Sequence, residues 1–363
     1  MAGVLVHEWI ARAGGSENVF EAMSRIWPDA DLFCLWNDSV GRFDPDRVTE
    51  SWMARTPLRR SKSLALPFMP ATWRARRPHD YDWALISSHL FAHHADFGDP
   101  DLKRFVYVHS PARYIWSPEL DRRGDSLPVR LAAAALKPLD RRRAHDGAQY
   151  AANSAFVRDR IRRAWDVDSR VIYPPVAVEE IQAVDWRDEL SPQEGALLDG
   201  LPATFLLGAS RFIPYKRLEL VIRTGALTGL PVVLAGSGPE QARLRAAAAD
   251  ATVPVRFVPA PSDALLRALY GRAAAYVFPA VEDFGIMPVE AMAAGTPVVA
   301  CALGGAAESV VDGQSGVLTD FASDSDLVAA VETATSIGPH APRERARRFS
   351  SGVFRDAITQ WVG

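Results

Sequence analysis

Residues 278–290 read FPAVEDFGIMPVE. An apolar run ends at Pro279, an acidic loop follows, and a helical pattern opens at Pro288 and stops at Gly295. Proline suits a first helical residue, where its missing N–H has no intrahelical acceptor, and glycine suits the position just past a helix end. The window therefore predicts a strand, a loop and a helix over 288–294. Gly285, Ile286 and Met287 then offer backbone N–H groups at a helix N-terminus, where orphan donors and the helix dipole favour an anion. Glu282 precedes the turn and Glu290 lies in the first helical turn. One glutamate could merely complement the dipole and the other sit on the surface. Two carboxylates flanking an anion site make better sense for a ligand that carries hydroxyls as well as phosphate, as a nucleotide sugar does.

A second window, GASRFIPYKR at 208–217, also follows a strand and leads into a helical pattern of Leu218, Val221 and Ile222. Arg211 and Lys216 flank Pro214 and can reach one diphosphate, the arginine through its fork and the lysine as a point charge. The first half has a comparable turn. A strand at 4–6 is followed by His7, Glu8 and Trp9, then Gly14, Gly15, Ser16 and Glu17, then an amphipathic pattern of Val19, Phe20, Met23, Ile26 and Trp27. The paired glycines permit close approach of backbone to a ligand. His109 ends a strand in HSPARY, and Arg158 follows another in NSAFVRDRI.

Outward from these windows, short apolar runs alternate with helical stretches. Strands are predicted at 4–6, 31–36, 83–88, 104–109, 149–154 and 170–173, and again at 204–209, 231–235, 255–259, 275–279, 297–302 and 316–319. Runs apolar on both faces, separated by helices, indicate parallel sheets covered on both sides. The expected fold is α/β, with two Rossmann-like domains in series. Residues 174–202 open with two prolines, carry seven acidic residues and show no strand pattern, so the boundary is placed there. In such sheets ligands bind beyond the carboxyl ends of the strands, where both donor windows fall.

The 363 residues suit two domains, and 48% hydrophobic with 23% charged residues excludes a disordered chain. A net charge of −3 offers no global attraction to nucleic acid. Charge is nevertheless uneven. Residues 1–180 hold 26 Lys+Arg against 24 Asp+Glu, and the remainder 15 against 20. Residues 47–77 hold eight basic residues and one acidic one, interleaved with Leu64, Leu66, Phe68, Met69 and Trp73. Such a segment is either a solvated face or a contact for an anionic membrane or a phosphorylated acceptor. The uncharged stretch between Glu290 and Glu308 contains Gly295, Pro297 and Gly304-Gly305, a poor membrane span. The opening MAGVLVHEW has too short an apolar run for a secretory signal. Cys34 and Cys301 are expected as reduced thiols of a cytoplasmic chain. Gly236-Ser237-Gly238 is half a dinucleotide fingerprint, but its third glycine position is Gln241. His89, His93, His94 and Asp96 have metal-like spacing, although no metal is expected.

Taken together, the motifs resemble retaining glycosyltransferases of family 4. They are AGGSENVFEAM, ISSH at 86–89, VHSPARYIW at 108–116, ANSAFVRDRI, GASRFIPYKR, AGSGPE at 235–240, Glu282-x7-Glu290, EAMAAGTPVVAC and GGAAESVVDGQSGVL. The most similar branch contains bacterial O-antigen-type mannosyltransferases. Glu8 stands where the family usually has aspartate, and AHHADFGDP at 92–100 departs from the family's basic or small residues.

The resemblance implies the GT-B fold, two Rossmann-like domains facing a central cleft. It implies an acceptor-side domain over 1–180, a donor-binding domain over 181–342, and a C-terminal helix over 343–363 packing back on the first. It implies hexose transfer with retention from a nucleotide diphosphate sugar, with GDP-mannose the expected donor and no cofactor or metal. Arg211 and Lys216 would hold the diphosphate. Glu282, Asp283, Phe284, Gly285, Ile286 and Met287 would hold the sugar and its phosphate, and Glu290 would accept from the ribose. Gly14, Gly15 and Arg158 would complete the donor site, with His109 against the transferred sugar. The acceptor would be a glycan, a lipid-linked group or a small molecule in polysaccharide biosynthesis, with peripheral contact to the inner membrane face through 47–77. The rivals are a nucleotide-sugar epimerase on the same scaffold and a non-catalytic partner of a polysaccharide assembly complex.

Overall fold

The computed structural model describes residues 2–12, 14–75, 80–116 and 127–363. Met1, Ala13 of the glycine-rich turn, and Arg76 and Arg77 of the basic stretch lie outside the described residues. The chain divides into two compact units, one of residues up to Pro175 together with Phe354–Gly363, the other Val176–Val353.

The first unit is built on a seven-stranded sheet. Its strands are β1 (Gly3–His7), β2 (Asp31–Cys34), β3 (Val48–Glu50), β4 (Trp83–Ser88), β5 (Lys103–Val108), β6 (Gln149–Ala152) and β7 (Arg170–Val171), in the order β3-β2-β1-β4-β5-β6-β7. Neighbours pair in parallel throughout. All five residues of β1 are buried, because helices cover both faces. Val4 and Val6 join one core with Ile86, Val106 and Trp165, and Leu5 joins the other with Leu85, Phe105 and Met23. This alternation is the period of two expected of a strand. β3 escaped prediction because it is a three-residue edge strand with no buried residue.

The second unit holds β8 (Leu206–Ala209), β9 (Val232–Ala235), β10 (Val255–Val258), β11 (Ala275–Phe278), β12 (Val298–Cys301) and β13 (Gly316–Thr319), in the order β10-β9-β8-β11-β12-β13. Its pairings are also all parallel. In both sheets the order runs outward one way and then, from the first strand, outward the other way. The predicted strands and the α/β class are thus present. Cys34 and Cys301 are free and buried. Among the described residues no helix is long and apolar enough to cross a membrane.

The chain end is less uniform than one helix over 343–363. Helix His340–Ala346 and the short turn Arg347–Phe349 lie in the second unit, and helix Ser351–Val362 follows Ser350. Ser350 is extended and bridges to Val176, whose N–H donates to Phe349 O at 2.9 Å. Residues 343–353 fall with the second unit, and the division lies at Pro175 where 180 was expected. From Phe354 onward the helix puts Phe354, Ile358, Trp361 and Val362 into the first unit's core. Trp361 meets Phe105 edge-on at 5.3 Å and is covered by Arg170 at 5.8 Å. Trp361→Ala is expected to lower stability by about 3 kcal/mol through the cavity it leaves, read by urea denaturation.

Candidate functional site

In the second unit, β8 and β11 lie side by side while their following strands depart in opposite directions. Parallel α/β sheets place ligands beyond the carboxyl ends of such a strand pair. The two segments leaving these ends are residues 210–217 and 279–285, the two windows singled out in the sequence. Tyr276 of β11 ties the pair together, its buried hydroxyl donating to Ala209 O at 2.8 Å. Burial raises the phenol's pKa well above normal, and Glu290 and Glu282 add to the effect.

Lys216 ends the short turn Pro214–Lys216, and its ammonium meets Glu282 Oε1 at 2.6 Å. The pair is mostly buried, with side-chain exposures of 10% and 17%. Phe278 lies beneath the ammonium, at 5.6 Å from the ring centroid. Arg217 follows in a left-handed conformation (φ 52°), and its guanidinium donates to Pro279 O at 3.3 Å. The two loops are thus cross-linked twice. Arg211 is exposed on the same loop, and its guanidinium has no hydrogen-bond or ion-pair partner among the described residues.

Glycines let these loops stack backbone on backbone. A Cβ on Gly236 would lie 1.9 Å from Ser210 O, and one on Gly305 would lie 2.0 Å from Asp283 O. The Gly305 N–H instead donates to Glu282 O at 2.8 Å. Gly236-Ser237-Gly238, half a dinucleotide fingerprint in the sequence, serves this loop packing.

The helix spans Ile286–Ala294 and starts from Gly285 at φ 90°, so Pro288 is its third residue rather than its first. A left-handed Gly285 lets the chain turn into the helix earlier than proline spacing suggested. The first turn has no side-chain cap, so the Ile286 and Met287 amides are orphan donors as expected. Phe284 is buried with its ring 5.5 Å from Phe349, and Asp283 is also buried. Glu290 accepts from Tyr270 Oη at 3.3 Å through Oε2. Burial raises its pKa, with Arg267 and Tyr270 opposing.

In the first unit, buried polar groups gather beyond β1, β4 and β5. Glu8 is fully buried, and its carboxylate accepts from the backbone N–H groups of His89, Leu90 and Ala92 at 3.2, 2.8 and 2.8 Å. Burial alone would raise its pKa, but His89, His7 and the amides of Ala92 and His89 hold it low. Glu8 therefore fastens the turn after β4. His109 is buried with Nε2 2.8 Å from Ser87 Oγ, and Ser87 Oγ is 3.0 Å from His7 Nδ1. Gly14 precedes helix Gly15–Ile26, and Glu17 folds back over it, so a Cβ on Gly14 would meet Glu17 Oε2 at 2.0 Å. Arg158 lies on helix Ala155–Trp165, half-exposed beside Asp159 at 4.0 Å. No contact among the described residues joins it to His109.

The metal-like spacing resolves differently from its sequence pattern. Asp96 pairs with Arg74 at 2.9 Å. His93 and His94 turn to Asp140 Oδ1 at 3.2 and 3.0 Å, while Asp140 Oδ2 accepts from the indoles of Trp116 and Trp165, both at 2.7 Å. Burial would raise the Asp140 pKa, but His93 and His94 hold it well below the usual carboxylate range. His7-Glu8-His89 and His93-His94-Asp140 are both compact enough for a metal ion. In each, the carboxylate already accepts several hydrogen bonds from the protein.

Residues 201–351 match the family model described as glycosyl transferases group 1. The chain is 35% identical over 179 residues to the D-inositol 3-phosphate glycosyltransferase of Thermomonospora curvata, covering 44% of this chain and 40% of that protein. The enzyme of the same name from Mycolicibacterium smegmatis is 34% identical over 174 residues, with 44% and 40% covered. The chain thus spans about two fifths of the length of these relatives. Among solved structures, Anabaena Alr3699/HepE in complex with UDP-glucose superposes with a TM-score of 0.71 at 20% identity, covering 99% of this chain and 98% of that one. Sucrose-phosphate synthase from Thermosynechococcus elongatus gives 0.71 at 17% identity, covering 99% and 98%. The two-sheet architecture is the GT-B fold, and the second unit carries the group 1 glycosyltransferase sequence pattern.

The buried histidines predict a pH dependence. Burial lowers His7 and His94 to about 4, and His109 is also well below its ordinary value. Between about 6.5 and 4 the unfolded chain binds protons that the folded chain does not, so stability falls as pH drops through that window. Urea unfolding at pH 7.5, 6 and 5 is expected to show that decline, and a flat profile contradicts it.

Proposed function

We propose that the chain transfers a hexose from a nucleoside diphosphate sugar to a hydroxyl acceptor, with retention and without a metal. The observation that carries the reading is the Lys216–Glu282 pair at 2.6 Å, set beyond the β8–β11 pair within the segment that matches group 1 glycosyltransferases. Lys216 and Arg211 would neutralise the diphosphate, the electrostatic task a metal performs elsewhere. The amides of Gly285, Ile286 and Met287 would hold phosphate and sugar oxygens, and Glu282 would accept from sugar hydroxyls. Glu290 would accept from the ribose through Oε1, since Tyr270 engages Oε2. The buried side chains of Asp283 and Phe284 would shape the turn. The sequence resemblance assigns His109 to the transferred sugar, and Gly14, Gly15 and Arg158 to the donor.

In the step itself, the acceptor oxygen forms a bond to the anomeric carbon while the bond from that carbon to phosphate breaks. The electron pair goes to the leaving phosphate oxygen, which takes the acceptor's proton on the same face. Glu8 is a poor nucleophile for a covalent route, because backbone amides already occupy both of its oxygens.

The Anabaena complex makes UDP-glucose a first donor to test and the sequence resemblance adds GDP-mannose, while the relatives' names make inositol phosphates the first acceptors. With EDTA present, Lys216→Ala is expected to lower kcat/KM by about 10²–10³, and Glu290→Ala to raise KM for the donor. Undiminished turnover in both variants contradicts the site. Isomerisation of the nucleotide sugar without acceptor would establish the epimerase reading instead.

We also propose that the enzyme works in the cytoplasm, docked on the inner membrane face through the basic stretch. Trp52, Leu64 and Phe68 are exposed by 51%, 65% and 47%, and Trp52 and Phe68 touch edge-on at 6.4 Å. Arg55 and Arg60 of the same segment are exposed without ion-pair partners among the described residues. Exposed apolar side chains on a segment that also exposes arginines suit an anionic bilayer. Co-sedimentation with phosphatidylglycerol vesicles is expected, and not with phosphatidylcholine vesicles. Leu64→Glu combined with Phe68→Glu should abolish it. Equal sedimentation with both lipids, or with the variant, contradicts the docking.

A further inference from the structure

The polar chain His7–Ser87–His109 has a direction that its contacts settle. His7 Nδ1 lies 3.3 Å from the Ser87 carbonyl oxygen as well as 3.0 Å from Ser87 Oγ. A carbonyl only accepts, so the proton of His7 sits on Nδ1, because a bare Nδ1 would face the carbonyl lone pair to lone pair. His7 then supplies a hydrogen that Ser87 Oγ accepts, and among the described residues the acceptor left for the Ser87 hydroxyl's own hydrogen is His109 Nε2 at 2.8 Å. His109 Nε2 is therefore an acceptor. Burial keeps both rings neutral near pH 7, so each carries a single proton, and that of His109 is on Nδ1. Nothing among the described residues accepts from that Nδ1. His109 itself retains 9% exposure, whereas His7 and Ser87 have none.

We propose that Ser87 and His7 are positioning residues that lock His109 in its Nδ1–H form, so that it presents a hydrogen-bond donor to a ligand oxygen beyond β1, β4 and β5 of the first unit. The claim that this donor meets a sugar or phosphate oxygen rests on the glycosyl-transfer reading. The locked tautomer itself does not. Three consecutive strands fix the relay: His7 ends β1, Ser87 lies opposite it on β4, and His109 follows β5 with its N–H on Ser88 O at 2.8 Å. The His7 ring is stacked on Phe20 at 4.9 Å. The other nitrogen of a histidine sets which one carries the proton, and here a serine rather than a carboxylate does so. A carboxylate in that place would accept from Nε2, leave Nδ1 bare and reject an oxygen ligand. The serine makes the site select for acceptor atoms.

The test reads the tautomer directly. Long-range ¹H–¹⁵N correlation spectra of the full chain should show His109 protonated on Nδ1 and bare at Nε2. Ser87→Ala removes the donor to Nε2, and the proton should move there. Ser87→Cys, with a much weaker donor in nearly the same volume, should shift the populations the same way and serves as the readout if the alanine variant does not fold. Turnover of the sugar nucleotide should fall about tenfold in kcat/KM, the cost of one lost hydrogen bond. A wild-type His109 protonated on Nε2, or a tautomer unmoved in both variants, overturns the relay. A tautomer that moves with turnover unchanged overturns the role of that N–H in the reaction. Failure of the glycosyl-transfer reading would show separately, as absence of turnover in the wild type.

Discussion

Backbone packed directly against backbone underlies the arrangement of the second unit. The loop after β8 lies on the loop after β9, and the loop after β11 lies on Gly304-Gly305, with no side chain between them. Phe212 N–H donates to Ser237 O at 2.8 Å, Glu240 N–H returns to Phe212 O at 3.0 Å, and Gly305 N–H donates to Glu282 O at 2.8 Å. These bonds form only because Gly236 and Gly305 have no Cβ, which would stand about two ångströms from a neighbouring oxygen. The result is a rigid seat for Lys216 and Glu282. A charge held by rigid elements pays little reorganisation when a ligand's charge develops beside it.

The two units handle charge differently. In the first unit, Glu8 and Asp140 are wholly buried, and each is satisfied by several donors from its own unit. Such groups specify where loops and helices sit, and breaking one partner leaves an uncompensated buried charge. In the second unit the charged groups stand beyond the carboxyl ends of the central strands β8 and β11, the Lys216–Glu282 pair mostly buried and Arg211 exposed without a partner among the described residues. Buried carboxylates there build the frame, whereas here the exposed Arg211 is available to a ligand beside the Lys216–Glu282 pair.

Much of this was legible in the sequence. Uninterrupted apolar runs such as GVLVH and VVLA announced parallel strands covered on both faces, and helix-start signals placed the two loops at strand ends. Strand and helix signals brought Lys216 and Glu282 to loops at the carboxyl ends of strands in one half of the chain, and the structure puts them in contact. What stayed hidden depends on partners far away in the chain. Glu8 looked like a substitution of one acid for another, and its amides come from residues some eighty positions later. His93 and His94 showed only a metal-like spacing, and their partner Asp140 reaches them from another helix. Tyr276 looked like an ordinary strand residue, since nothing local marks a hydroxyl aimed at Ala209. The edge strand β3 and the break at Ser350 were missed for the same reason, as both are stabilised by neighbours rather than by their own pattern.

The central claim is that the loops after β8 and β11 and the helix starting at Ile286 form the seat of a sugar nucleotide. Backbone hydrogen exchange with and without UDP-glucose or GDP-mannose tests it most directly, because orphan amides that gain a phosphate acceptor slow their exchange. The account predicts protection concentrated in residues 210–217 and 282–290. Binding of either nucleotide sugar that leaves both segments unprotected, with protection elsewhere, would contradict it.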